Sequence, residues 1–134
     1  MTEQGATWIL EALERLDGQY DLPMFRHMRR ELPRKPSEYF ERNGYIGAAF
    51  MDGDVVKVRH EIGVDKLMWG SDYPHIEGTW PHTAQKLGDA FQGVPRSECE
   101  RMLGGTAAEV YGFDVEKLTK LATEIGPKSG SIGG

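Results

Sequence analysis

Two short segments with strand character set the limits on what this chain can fold into. They are residues 45–50 and 66–70, and a helical pattern lies between them. Strands separated by about 15 residues that include a helix indicate a βαβ unit with parallel strands. The predicted class is therefore α/β. At most a stub of a third strand is present at the N-terminus, and two strands are too few for a stable sheet. The sequence predicts that another copy completes the sheet, or that the chain is a piece of a larger fold.

Apolar residues at helical spacing predict helices around these two strands. The predicted helical segments are residues 7–16, 23–32, 37–41, 55–62 after a cap at Asp52 or Asp54, 81–93, 95–103, and a last amphipathic helix carrying Leu118, Leu121 and Ile125. Asp17-Gly18 is expected to end the first helix, and Gly104-Gly105 the one before Thr106. Thr106 and Glu109 have the spacing of a capping box, which predicts a new helix at that point.

Composition excludes several classes of function. The chain has 134 residues, with 16 Lys and Arg against 21 Asp and Glu, which gives a net charge of −5. This balance argues against a nucleic-acid-binding face and against a polybasic membrane anchor. No apolar run approaches the ~18 residues of a membrane span, and no secretory signal pattern is present at the N-terminus. Cys99 is the single cysteine, which rules out an internal disulfide and fits a reducing, cytoplasmic location.

The stretch from Gly70 to His82 holds the densest set of reactive side chains. Asp72 comes just after the second strand, and active sites of parallel α/β folds assemble at that edge. A carboxylate there can bind a metal or act as a general base. Further ligand candidates and the aromatic residues that could wall a pocket are His75, Glu77, His82, Trp69, Tyr73 and Trp80. The structural alternative is that Asp72 caps backbone N–H groups of a turn that the prolines shape.

Several segments, in order, resemble one family. Residues 63–75, with the sequence GVDKLMWGSDYPH, resemble the last barrel strand of the amidohydrolase-related family, which includes relatives of aminocarboxymuconate semialdehyde decarboxylase. The flanking segments EQGATW at 3–8, KPSEYF at 35–40 and GGTAAEVYGF at 104–113 are also similar, although the family more often has Asn at the place of Thr106. The resemblance covers the chain from about Glu3 to Pro127.

The resemblance implies a (β/α)8 barrel, of which this chain would be the C-terminal portion, from about strand six or seven to strand eight. The barrel part would span residues 1–127, and residues 128–134 would form a flexible Gly/Ser-rich tail. The implied enzyme is a hydrolase or a decarboxylase of a small molecule, with a divalent metal, usually zinc, that makes hydroxide available near neutral pH. Asp72 would bind the metal or handle the proton of the attacking water, and His75 would be a metal ligand in a subset of the family. The implied substrate-pocket residues are Glu3, Trp8, Trp69, Tyr73, Glu77 and Trp80.

The sequence departs from the family in its length and its histidines. A complete barrel needs ~250 residues, and the family's His-x-His metal ligands have no counterpart among His27, His60, His75 and His82. One hypothesis is a C-terminal segment that is active only when an N-terminal half is joined to it or complements it. The alternative is a non-catalytic remnant that acts as a homo-oligomer or interaction module. A third hypothesis is a self-contained site in the loop at residues 70–82. For the isolated chain, an unpaired sheet edge and an exposed inner barrel face predict association or aggregation.

Overall fold

The computed structural model describes residues 5–126 and Ile132. The helices are α1 (Trp8–Asp21), α2 (Met28–Glu31), α3 (Pro36–Asn43), α4 (Gly53–Lys57), α5 (Arg59–Ile62), α6 (Thr83–Ala90), α7 (Arg96–Glu100), α8 (Thr106–Tyr111) and α9 (Val115–Ile125), and the strands are β1 (Ile46–Ala49) and β2 (Leu67–Gly70). Short 3-10 turns lie at Pro23–Phe25 and Val64–Lys66, and a π-helical turn lies at Arg101–Gly105. Glu3 and all tail residues beyond 126 except Ile132 lie outside the described part. Ile132 is half-buried and packs against the core.

The two strands pair in parallel, as predicted. The register runs from Ile46 opposite Leu67 to Ala49 opposite Gly70. Within the described residues the sheet has these two strands, so the outer edge of each has no strand beside it. The helices α4 and α5 make the connection, and Gly63 ends α5 with a φ of +106°, a value that favours glycine.

One face of the sheet carries the core. Side chains alternate between faces along a strand, and Ile46, Ala48 and Leu67 point into the cluster of buried residues, with Trp69 packed against it. The helices α4 to α7 contribute buried residues to the same cluster, namely Val55, Val56, Ile62, Leu87 and Cys99. Burial of each large apolar side chain contributes about 1.5–3 kcal/mol. The opposite face of the sheet carries Gly47, Ala49, Met68 and Gly70.

The first helix is longer than the sequence predicts. Asp17-Gly18 does not end α1, which continues to Asp21. The cause is a contact between residues 20 positions apart: Ser37 donates its backbone N–H and its hydroxyl to the Asp17 carboxylate, at 3.0 and 2.6 Å. This contact holds α1 against α3 and offsets the cost of a glycine inside a helix, which is about 1 kcal/mol.

The predicted break at Gly104-Gly105 is also wrong. The backbone remains helical from α7 through the π-helical turn into α8, and Thr106 is a buried residue inside this run instead of a cap. Met102 and Thr106 are both fully buried, so burial of this face outweighs the low helix propensity of the two glycines. Glu109 has a different partner from the one that a capping box requires, since it forms an ion pair with Arg101 at 2.7 Å.

Candidate functional site

The loop from Ser71 to His82 leaves the carboxyl end of β2 and is tied closed at its base. The Thr79 N–H donates to the Ser71 carbonyl at 3.0 Å. Thr79 is buried, and its hydroxyl shares a 2.9 Å hydrogen bond with the hydroxyl of Thr83 at the start of α6. Both ends of the loop are therefore fixed to β2 and α6, which are elements of the core.

The interior of the loop is compact. The His75 N–H donates to the Asp72 carbonyl at 2.7 Å, and the Gly78 N–H donates to the His75 carbonyl at 2.9 Å. A Cβ atom at Gly78 would lie 2.9 Å from the carbonyl oxygens of both His75 and Ser71, which is closer than van der Waals contact allows. The loop therefore requires glycine at this position.

Asp72 has an uncommon backbone conformation, and its carboxylate does not act as a cap. Its φ is +57°, a left-handed conformation that Asp tolerates better than most residues. Within the described residues no backbone N–H donates to its carboxylate. The Tyr73 N–H donates instead to the Ser71 hydroxyl, at 3.3 Å. The capping role that the sequence left open for Asp72 is thus filled by the neighbouring serine.

Two further titratable groups lie beside this carboxylate. The Asp72 Oδ2 atom is 3.5 Å from His75 Nδ1, and the same nitrogen is 3.8 Å from Glu77 Oε2. The Asp72 side chain is 23% exposed, whereas those of His75 and Glu77 are mostly exposed. The structure therefore brings together three of the predicted residues. The fourth, His82, precedes α6 with an exposed side chain and donates its backbone N–H to the Thr79 carbonyl at 2.9 Å.

The predicted aromatic residues occupy two environments. Tyr73 and Trp80 form an edge-to-face pair on the loop, with ring centroids 5.8 Å apart, and both are exposed. Trp69 packs against the core on the helix side of β2, and its indole Nε1 is buried with no hydrogen-bond partner in the described structure. Trp8 opens α1 and is partly exposed.

A cavity next to the loop was not predicted from the sequence. It has a volume of about 420 Å³, within the usual range for small-molecule sites. Its lining comes from the exit of β1 and from α6: Phe50, Met51, Asp52, Gly53, Thr79, Lys86, Leu87, Asp89 and Ala90. Phe50 has a φ of +55°, and Lys86 Nζ donates to the Gly78 carbonyl at 3.4 Å. The sequence signal that could have found this cavity is the position of residues 50–53 directly after a parallel strand.

Comparison with known proteins identifies the family. The amidohydrolase profile matches residues 2–113, which is most of the chain. The chain belongs to the amidohydrolase family. This confirms the resemblance that residues 3–8, 35–40, 63–75 and 104–113 predicted. No curated protein matches the chain.

Amidohydrolases generally use divalent metals, and the donors of this amidohydrolase chain can be tested against that requirement. A catalytic zinc takes three protein ligands in addition to a water. Among residues 5–126 and Ile132, no group of three or more His, Cys, Asp or Glu side chains is arranged to hold a metal ion. The donors of the described residues therefore do not form a metal site on their own. No described helix has the length and apolar character that crossing a membrane requires.

Proposed function

We propose that this chain is the C-terminal part of a metal-dependent amidohydrolase-type barrel enzyme, from about strand six or seven to strand eight. The family match over residues 2–113 and the parallel pair of strands support this proposal. In the proposed enzyme the barrel part covers residues 1–127. The enzyme acts on a small molecule in the cytoplasm, by hydrolysis or by decarboxylation.

The proposal depends on one observation: within the described residues, the Asp72 carboxylate accepts no hydrogen bond from a backbone N–H group. A carboxylate that accepts no backbone hydrogen bond at the carboxyl edge of a parallel sheet is available for chemistry. We assign to Asp72 the acceptance of a proton from the attacking water and its transfer to the leaving group. In a decarboxylase the same carboxylate would manage the proton that replaces carbon dioxide on the product.

The other predicted site residues take supporting roles in the proposal. Asp72 and His75, which lie 3.5 Å apart, supply two metal donors, and a preceding or complementing N-terminal half of the barrel supplies the remaining ligands. Tyr73, Trp80 and Glu77 border the substrate. The proposed pocket also includes Glu3, which lies outside the described residues, and Trp8 and Trp69.

A second candidate is a non-catalytic remnant that acts as an oligomerising or interaction module. The lack of a three-ligand group among the described side chains favours this candidate. It predicts that Asp72 has no bound ligand in the cell and that its removal changes no activity.

Isolation of the native polypeptide separates the two candidates. An antibody against residues 124–134 captures the protein from its source cells, and its intact mass and metal content are then measured. The enzyme proposal predicts a polypeptide well above 15.0 kDa, or a 15.0 kDa chain with a second polypeptide, and a bound divalent metal. A 15.0 kDa chain with neither a partner nor a metal would overturn the enzyme proposal and support the remnant.

Two matched variants, expressed in the same cells, make the experiment specific for the site. Asp72→Ala is expected to lower the metal content by at least about tenfold, since removal of a ligand or its neighbour weakens such sites strongly. Asp52→Ala removes an aspartate from the same sheet edge, where it caps α4 through the Asp54 and Val55 N–H groups, and is expected to leave the metal content unchanged. Equal metal content in all three proteins would contradict the role of Asp72.

A further inference from the structure

The last helix, α9, presents an apolar face that the rest of the described chain leaves open. The helix spans Val115–Ile125, and Asp114 caps its N-terminus, since the Asp114 carboxylate accepts the Lys117 N–H at 3.0 Å. It lies beyond residues 2–113, where the family match ends. An isolated helix of this length is marginal in water and depends on packing of its apolar face.

The apolar residues of α9 form one continuous stripe. Leu118, Leu121 and Ile125 are 45%, 51% and 84% exposed. Together with Val115 and Ala122 they cover about 120° of the helix circumference, at about 100° per residue. The opposite side is polar, and there Glu116 and Lys120 pair with each other at 3.0 Å. Such a one-sided stripe is typical of a helix that packs against a partner.

Part of this stripe borders an open groove. The groove has a volume of about 620 Å³ and lies between α9 and the end of the preceding helical run. On that side the lining includes four small residues, Gly104, Gly105, Ala108 and Gly112, together with Glu109 and Phe113, and α9 contributes Val115, Leu118, Thr119 and Ala122. Side chains of a partner helix can therefore enter beside the stripe along its four small residues.

The charges that flank the stripe are complementary to those of a second copy. Lys117 and Glu124 lie on the same edge of the stripe, and neither forms an ion pair within the described residues. In an antiparallel two-fold helix pair, equal edges face each other. With the two-fold axis level with the midpoint between Lys120 and Leu121, Lys117 lies opposite Glu124 twice, and Val115 lies within one residue of the level of Ile125 of the second copy. Apolar and charged positions are thus satisfied by the same register.

We infer that α9 is a homodimerisation helix that pairs antiparallel with α9 of a second copy. The interface is isologous, with a core of Leu118, Leu121 and Ile125 and two Lys117–Glu124 ion pairs at its edge. This inference concerns the surface after residue 113 and does not depend on the chemistry of the Asp72 loop.

Sedimentation equilibrium of the full chain tests the inference without any activity measurement. The wild-type chain is expected to dimerise, and Leu118→Lys/Leu121→Lys is expected to raise the dissociation constant at least about tenfold, since two core side chains are lost. Both positions are exposed in the protomer, so circular dichroism should show that the rest of the chain stays folded. A monomer at all concentrations, or a dimer that this variant leaves intact, would overturn the inference.

A charge swap tests the register itself. Lys117→Glu and Glu124→Lys should each weaken the dimer, and the double variant should restore it. The matched control is Glu116→Lys/Lys120→Glu on the opposite face, which should leave the dissociation constant unchanged. Leu121→Cys should also form an intermolecular disulfide, whereas the buried Cys99 of the wild type should not. Failure of the double variant to restore the dimer, or protection of α9 by a different polypeptide in the native complex, would contradict antiparallel self-pairing.

Discussion

Two aspartates lie just beyond the two parallel strands, and the structure uses them in opposite ways. Asp52 lies three residues after β1, in extended backbone, and its carboxylate accepts the N–H groups of Asp54 and Val55 at 3.0 and 3.1 Å. Asp72 lies two residues after β2, in left-handed backbone, and within the described residues its carboxylate faces His75 at 3.5 Å and no backbone donor. The same residue type at the same sheet edge therefore caps a helix in one place and, within the described residues, accepts no backbone N–H group in the other.

The difference arises from the element that each strand leads into. After β1 the chain enters a helix at once, so a carboxylate is needed to satisfy the first N–H groups of α4. After β2 the chain forms a loop whose closure depends on Thr79 and Ser71, so Asp72 is not required as a cap. Asp72 is a functional candidate because the hydroxyl of the neighbouring Ser71 accepts the local backbone N–H group, that of Tyr73, in its place.

The largest effect is expected from Asp72→Asn in the assembled enzyme of the proposal. The amide keeps the size of the side chain and tolerates a positive φ, but it cannot accept the proton of the attacking water. We expect kcat/KM to fall by about 10²–10⁴-fold, with a change in the free energy of unfolding within about 0.5 kcal/mol. Kinetics and urea unfolding of the same preparations measure the two quantities. A large loss of stability with unchanged kinetics would make Asp72 structural, like Asp52.

The next effect concerns the glycines of the two strand exits. Gly78→Ala should destabilise the protein by about 1–3 kcal/mol, because its Cβ would meet two carbonyl oxygens at 2.9 Å and force the loop open. Gly53→Ala is the matched control, since a Cβ at this first position of α4 meets nothing within 4 Å. It should be neutral or stabilising by about 0.5 kcal/mol. Equal midpoints in urea for the two variants would show that the loop is not held in this closed form.

A smaller effect is expected from the cap of α4. Asp52→Ala removes the acceptor of two backbone N–H groups and should cost about 1 kcal/mol of stability. Asp52→Asn keeps an oxygen acceptor and should restore most of that loss. Thermal unfolding followed by circular dichroism is the measurement. If Asp52→Ala were as stable as the wild type, the contrast between a capping Asp52 and a non-capping Asp72 would disappear.

The sequence was sufficient where structure depends on local pattern. The strands near residues 45–50 and 66–70 were predicted, and the cap before α4 was narrowed to Asp52 or Asp54, because apolar runs and caps are short-range signals. The structure shows that Asp52 is the cap. The extension of α1 to Asp21 depends on the Asp17–Ser37 contact, and the helix through Gly104-Gly105 depends on burial of Met102 and Thr106. Both are tertiary effects that override local propensity. The loop at residues 70–82 was proposed as a site from its residue types. The cavity lined by Phe50 was not predicted, because it also needs the packing of α6, although residues 50–53 directly follow a parallel strand.

The smallest effect is a pH dependence of the free energy of unfolding. It arises from the ion pair between Asp54 and Lys57 in α4, the helix that follows β1. The hydrogen bond from Lys57 at 2.9 Å lowers the pKa of the Asp54 carboxyl, and the same contact raises the pKa of Lys57. A lowered carboxyl pKa contributes stability above its unfolded value, about 3.9, and that contribution is lost as pH falls through the folded value. The raised Lys57 pKa adds stability below about pH 10.4 that is lost at higher pH.

Because both side chains are exposed, this contribution is small and screened by salt. Lys57→Met should lower stability slightly at pH 7 in low salt. This difference from the wild type should shrink as the pH falls through the lowered pKa of Asp54, and it should be absent in about 1 M NaCl. Urea unfolding of the two proteins under the three conditions measures it. Lys57 lies three residues after Asp54, whereas the residue three after Asp72 is His75. Lys57→Met should therefore leave the loop from Ser71 to His82 unchanged at every pH. A Lys57→Met difference that does not shrink at acidic pH would mean that the lysine acts by packing of its stem and not by its charge.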